Sequence, residues 1–419
     1  MGLMSLTLRT GAIQLIVQAI GFAGGIVVIR LLSMGEYATY TILYAALGTL
    51  SALADAGIAS TVMAQAGRHG GDSARVSSIV VTGLAYRRRF SLLVGGIALP
   101  VLLYLLHRQG ESWVLSALGL LSVALAFLAT AATAVLEVPF KLQQRVMPLQ
   151  WAQLQANALR TALVATALWL QPTAALAVLC AALAQWWLNH RLRAMLATQV
   201  DRSSAVDRDA ATAIRRNMWR TLPGALYYCI AGQLNVWLLT LFGSTASIAQ
   251  IGALGRLAML FTIVQVTVSM IVLPRFARQP EARDTLLRSY LKVTAALFAL
   301  GTALTVAAWL FPQPLLWILG GDYSMLGNEV ALMTLSGALG LIGASLYAMN
   351  NVRGYLPPAW VPPVLGISHT AVLMVLLDVS TVHGVLLMQG VLAAFSALYA
   401  TLIFLFYARQ RHDTLHQDP

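Results

Sequence analysis

Charge is what this sequence has least of. Asp, Glu, Lys and Arg make up 10% of its 419 residues against 59% hydrophobic ones, and mean hydropathy is +0.75, whereas a soluble domain carries about a quarter charged residues. That excludes a soluble globular fold and leaves an integral membrane protein. Cysteine is nearly missing too: Cys180 and Cys229 each sit in an apolar run, so neither a disulfide framework nor a Cys-based metal site is supported. No Walker motif and no His-Glu-x-x-His pattern occurs, which gives no indication of ATP hydrolysis or a zinc-protease site. His69, His107, His190, His383, His412 and His416 lie at loops or ends, and His369 alone is inside a span. No cofactor or metal is implied, and the chain reads as a non-enzyme.

What is present is a series of apolar stretches. A membrane-spanning helix needs about 20 mostly apolar residues, and candidates occur near 11–30, 37–66, 88–106, 113–136, 147–170, 173–189, 221–242, 248–274, 293–312, 328–350, 360–377 and 384–407. The first resembles a signal sequence in position, but it runs to Arg30 without a small-residue cleavage pattern and is read as a retained span. Residues 74–87 are apolar ahead of Arg87-Arg88-Arg89 and are read as an interfacial or helix-extending segment.

The 27 Lys and Arg residues fix the orientation. With the N-terminus inside, 23 of them fall in cytoplasmic segments, Arg30 and Arg108 fall outside, and Arg160 and Arg256 lie within spans. The Lys/Arg bias of short loops is the main topological determinant, so both termini are expected in the cytoplasm. A net charge of +12 would suggest nucleic acid in a soluble chain, but here it belongs to the loops, and no nucleic-acid partner is expected. The longest polar stretch, about residues 190–220, divides the chain near its middle. The expected organisation is therefore an N-terminal six-helix bundle over 1–190, a cytoplasmic linker over 191–217 and a C-terminal six-helix bundle over 218–419. A faint repeat agrees: a shift of 211 residues lays Met63–Arg68 on Pro274–Gln279, both basic exits from a second span.

The informative residues are the polar ones inside spans. Tyr37, Tyr40, Tyr44, Gly48, Ser51 and Asp55 share one helical stripe. The stripe suits a cavity wall that takes sugars, while Tyr37 and Tyr40 also fit an interfacial aromatic belt. An in-span carboxylate is costly, so Asp55 is either a substrate or cation site or half of a structural ion pair. Gln150, Gln153, Asn157 and Arg160 form a second polar face, and Gln14, Gln18, Gly21 and Gly25 a third, which hydrogen bonding and close helix packing also explain. Arg256 and Arg30 are cations whose planar fork suits phosphate oxygens, and Arg30 also fits a snorkelling interfacial residue. Pro100, Pro223-Gly224 and Pro362-Pro363 mark possible bends.

Several of these residues carry a resemblance. Arg30-Leu31-Leu32-Ser33-Met34-Gly35-Glu36-Tyr37, running on to Leu53-Ala54-Asp55-Ala56-Gly57, resembles the opening signature of polysaccharide biosynthesis proteins of the O-antigen flippase type. These belong to the multidrug/oligosaccharidyl-lipid/polysaccharide exporter (MOP) superfamily. Ile251–Leu257, Leu273–Ala277 and Leu319–Tyr323 are similar to further segments of that group. Ser33-Met34 stands where the family usually has Gly-Pro, and the family's tyrosine in the eighth helix is replaced here.

The resemblance implies an all-α, V-shaped MATE-like transporter fold of about twelve transmembrane helices in two six-helix bundles. It also implies a flippase of the bacterial inner membrane, moving an undecaprenyl-pyrophosphate-linked oligosaccharide by alternating access. Cavity candidates are then Arg30, Tyr44, Asp55, Gln153, Asn157, Arg160 and Arg256, with Asp55 the candidate for coupling H+ or Na+. A polysaccharide polymerase and export machinery are the implied protein partners, beside the bilayer itself. The rivals are a multidrug MATE-like cation antiporter, a peptidoglycan-precursor flippase, a non-transporting scaffold and a membrane-embedded polymerase or acyltransferase. The last is disfavoured because residues 313–327, the largest outer segment, offer Asp322 as their one ionisable group.

Overall fold

A computed structural model describes the backbone of residues 3–69, 72–143, 145–197, 200–201, 204–279 and 283–415, with side chains from residue 13 to 409 except Arg283. Arg9, Arg202, Arg283, Arg411, His412 and His416 lie outside the described side chains. The helices are α1 (Leu3–Leu31), α2 (Met34–Asp55), α3 (Ile58–Arg68), α4 (Ser73–Arg108), α5 (Trp113–Leu136), α6 (Val138–Leu142), α7 (Val146–Leu170), α8 (Ala174–Leu196) and α9 (Arg208–Ala231). They continue as α10 (Leu234–Phe242), α11 (Thr245–Thr267), α12 (Leu273–Ala277), α13 (Arg283–Leu310), α14 (Pro312–Leu319), α15 (Gly327–Val352), α16 (Val361–Leu376) and α17 (Val382–Leu415). No strand occurs among the described residues, and the fold is all-α. In hydrocarbon, helices satisfy their own backbone groups.

Leaving aside the short α14, the helices form twelve rods, one for each expected span. Eight are long and apolar enough to cross a membrane: α1, α2 with α3, α4, α5 with α6, α11 with α12, α13, α15 and α17. A ninth is α9 with α10, bent by 62°. Of the other three, α7 and α8 are diluted by amides, histidine and arginine, and α16 has 16 residues. Side chains start several rods: Ser33, Asp72, Ser112, Asp207 and Ser244 accept from backbone amides of the first turns of α2, α4, α5, α9 and α11. Glu36 Oε2 reaches across to accept from Ala174 N at 2.7 Å, which caps α8.

The chain divides into two compact units, Met1–Thr240 and Leu241–Pro419. In the first, α5 packs on α4 and α8, and α1 on α7; in the second, α15 packs on α13 and α17 in the same pattern. The second rod of each half is broken near its basic end. In the first half the break is a left-handed turn at Ala56 (φ 32°) and Gly57 (φ 76°). The 211-residue shift carries Ala56–Gly57 onto Thr267–Val268, where a π-turn over Val268–Val272 begins. Pro274 explains that turn, since it cannot donate to the carbonyl four residues back.

Residues 191–217, expected as a linker, are mostly helical: 191–196 complete α8 and 208–217 open α9. Described residues between the two helices touch α4: Asp201 N donates to Ser77 Oγ (3.2 Å), Asp207 N to Thr82 Oγ1 (2.9 Å) and Ser78 Oγ to Ala205 O. Arg75 pairs with Asp207 and Asp209 at 3.6 and 3.2 Å. The seventh rod therefore packs within the first unit, against α2, α3 and α4. In the second unit, α16 has no buried residue and rests chiefly on α17.

Beneath these rods the arginine-rich end of the first unit has a core of its own. Ile58, Val62, Val80, Val135, Phe140, Leu192 and Ile214 bring together α3, α4, α5, α6, α8 and α9. Gly83 is needed there, because a Cβ would collide with Val62 and press on Val135. Gly83→Ala is expected to cost about 1–3 kcal/mol by overpacking, while Gly96→Ala, which meets nothing within 4 Å, is expected to be neutral or stabilising. Thermal unfolding of the two variants in detergent checks this.

Candidate functional site

The polar face of α7 is built by spacing alone: Gln150, Gln153, Asn157 and Arg160 recur every three or four residues. Gln150 is buried, and the other three are half-buried. Gln153 Nε2 donates to Glu137 Oε1 at 2.7 Å, and Lys141 Nζ donates to Glu137 Oε2 at 2.7 Å. Asn157 Nδ2 donates to its own helix, at Gln153 O (2.9 Å). Two turns above Gln153, Arg160 lies over Gly21 of α1, its Nη2 3.7 Å from the point a Cβ there would occupy. The next contact along is Thr161 against Gly24, so small residues on α1 let the two helices close. Among the described residues Arg160 has neither an ion pair within 4.0 Å nor a hydrogen bond.

Asp55 is not the counterpart of that cation. Arg87 Nη1 donates to Asp55 Oδ1 at 2.5 Å, and Arg87 Nη2 lies 3.5 Å from Ser51 O. The pair is lopsided: the Arg87 side chain is 4% exposed and that of Asp55 41%. Of the two readings of Asp55, its geometry is that of an ion pair. Sequence reasoning missed Arg87 as the partner of Asp55, because it opens an Arg87-Arg88-Arg89 run that looks like a loop. A signal existed in the helical phase, since Val80, Gly83, Arg87, Ser91 and Val94 form one buried stripe of α4 while Arg88 and Arg89 are exposed.

Immediately beyond Asp55, α9 holds the break in α2. Thr221 Oγ1 donates to Ala56 O (2.7 Å), and Asn217 Nδ2 to Thr61 Oγ1 (2.8 Å) and Gly57 O (3.3 Å). Further along, Gln233 fills the space beside Gly48, and Trp237 Nε1 donates to Thr49 Oγ1 at 3.2 Å. The stripe expected to line a cavity is thus partly a seam between α2 and the seventh rod. Its upper part is a ladder of rings, Tyr37 on Tyr40 at 5.8 Å and Tyr40 on Tyr44 at 5.6 Å. Tyr37 is fully buried and Tyr40 is 8% exposed, so neither belongs to an interfacial belt, and Tyr44 alone emerges, at 38%.

Arg30 is exposed in the last turn of α1. Arg256, in the second unit, is half-buried on α11 with Nη1 3.9 Å from Met259 Sδ. The structure thus gathers Gln153, Asn157 and Arg160 on one face and takes Asp55 away to Arg87.

No protein-family model matches the chain, and no curated protein matches it. Solved structures do. A multidrug resistance MATE family transporter of the MOP superfamily in an inward-facing conformation aligns with TM-score 0.67 at 16% identity, covering 96% of each chain. The eukaryotic MATE transporter AtDTX14 aligns at 0.61 and 12% identity, covering 97% of this chain and 99% of that one. A MOP superfamily transporter from Pyrococcus furiosus, whose binding pocket is described as having a reversed polarity that suggests a different function, aligns at 0.59 and 15%, covering 98% and 95%.

Removing one partner of a buried ion pair costs about 3–5 kcal/mol, and the exposure of Asp55 reduces that to roughly 1–3 kcal/mol for Asp55→Asn. Adding Arg87→Met to it is expected to recover most of the loss, since no unpaired guanidinium then remains. A double-mutant cycle on thermal unfolding measures this. By these likenesses the chain has the fold of the MATE transporters of the MOP superfamily.

Proposed function

We propose that the protein is a transporter that moves an anionic, lipid-linked substrate, an undecaprenyl-pyrophosphate-linked oligosaccharide, by alternating access. It works in the bacterial cytoplasmic membrane with both termini in the cytoplasm. One observation carries the charge of the substrate: Arg160, at mid-length of α7, has no acidic partner among the described residues. A guanidinium stays protonated, and at membrane depth it needs water, an anion or a partner. A phosphate supplies the bidentate acceptor its fork fits. The amides of Gln153 and Asn157 below it suit sugar hydroxyls, and Tyr44 offers a ring face. Arg30 is a further cation of the first unit for the diphosphate, and Arg256 is a separate candidate within the second unit. The Pyrococcus furiosus transporter of similar fold, described as having a binding pocket of reversed polarity, is in keeping with this reading.

In this reading H+ or Na+ exchanges at Asp55, whose carboxylate remains accessible while Arg87 is buried behind it. A polymerase and export machinery receive the product. Multidrug export is the second reading, favoured by the multidrug resistance transporter among the similar structures. An unpaired arginine repels the cationic drugs such a transporter would carry.

Loss of a charge-assisted hydrogen bond is worth about 1.5–3 kcal/mol, so Arg160→Ala is expected to lower lipid-linked oligosaccharide export about 10- to 100-fold. Arg160→Lys should retain part of it, and thermal stability should change little in either. Export measured in membrane vesicles, beside drug resistance in cells, decides between the readings; full export by Arg160→Ala would overturn the first. For coupling, Asp55→Asn is expected to remove the acceleration that a proton or sodium gradient gives. An unchanged gradient response would take the ion away from Asp55 without touching the substrate assignment.

A further inference from the structure

We infer that the outward face of the first turns of α9 is a binding surface for acidic phospholipid headgroups. On a helical wheel Arg215, Arg216, Trp219 and Arg220 fall within an arc of about 140°. The three arginines are exposed, and Trp219 is 66% exposed. The opposite side is the docked one: Ala210 and Ile214 are in the apolar core, and Asn217 and Thr221 hold α2 and α3. This part of α9 is therefore a basic amphipathic helix whose apolar face is already covered, which leaves the basic face to select the partner. None of Arg215, Arg216 and Arg220 has an ion pair within 4.0 Å or a hydrogen bond among the described residues. The acids at the start of the helix, Asp207 and Asp209, are taken by Arg75.

Depth fixes the source of the phosphate. The uncharged stretch 221–255 begins directly after Arg220, so Arg220 stands at the edge of the apolar part of the rod and Arg216 and Arg215 one to two turns outside it. That is the level of lipid phosphates, and a tryptophan is the residue that settles there. The partner is thus a bilayer lipid of negative charge, phosphatidylglycerol being the simplest. This surface is separate from Arg160 and independent of the transport reading.

The test uses the full chain, purified in neutral detergent, with equal amounts of phosphatidylglycerol and phosphatidylcholine, and counts retained lipids by native mass spectrometry. Phosphatidylglycerol is expected to be retained preferentially, and less so as salt is raised. Each arginine near an anionic surface is worth about fivefold, so Arg216→Gln should lower the preference about fivefold and the triple variant Arg215→Gln/Arg216→Gln/Arg220→Gln on the order of 100-fold. Arg88→Gln/Arg89→Gln, which removes exposed arginines of α4, should keep most of it. Equal retention of the two lipids overturns the proposal, as does a single or triple variant that holds phosphatidylglycerol like the unmodified protein. Displacement by a lipid-linked diphosphate at equimolar amounts would assign the surface to the substrate instead and would also overturn it.

Discussion

Backbone groups that leave a helix inside a membrane protein must find another partner, and the break at Ala56–Gly57 obliges the rest of the first unit to provide one. The left-handed turn takes the carbonyl of Ala56 out of the regular ladder, while Gly57 O accepts from Thr61 N at 3.1 Å. Thr221 and Asn217 meet them from α9, and Ser60 and Thr61 also donate to Gly57 O. Gly57 itself admits no Cβ, since one would lie 2.8 Å from Asn217 Nδ2 and 3.0 Å from Thr221 Oγ1. That closeness ties the seventh rod to the second, and the packing of the intervening segment on α4 follows from it.

Arg87, Arg353 and Arg160 are handled in different ways. Arg87 has Asp55. Arg353 ends α12 by donating to Phe276 O and Gln279 O, both at 2.7 Å, with its guanidinium 5.4 Å from the centre of the Phe276 ring. Both make contacts that hold helices together. Arg160, half-buried over Gly21 of α1, has neither an ion pair nor a hydrogen bond among the described residues.

The rods were legible because hydrocarbon imposes one period and one minimum length on every span, and because basic residues collect where the spans end. The polar face of α7 was legible for the same reason, as a repeat of three and four. Partners across helices were not. Nothing in the order of residues says that Arg87 faces Asp55 while Arg88 faces outward, except a faint buried phase along α4. Tyr37 looked like a belt residue by its place near a span end, yet helix packing covers it completely. The linker was read from its polarity, whereas Ala210 and Ile214 turn most of that polarity to one side of a packed helix.

The shortness of α16 bears on the membrane as much as on the protein. At 1.5 Å per residue its 16 residues rise about 24 Å, against roughly 30 Å of hydrocarbon. Flanking Trp360 is exposed, and no side chain of the helix is buried, so lipid rather than protein has to absorb the difference. A bilayer crossed by α16 alone would have to thin by about 6 Å beside it to match that rise.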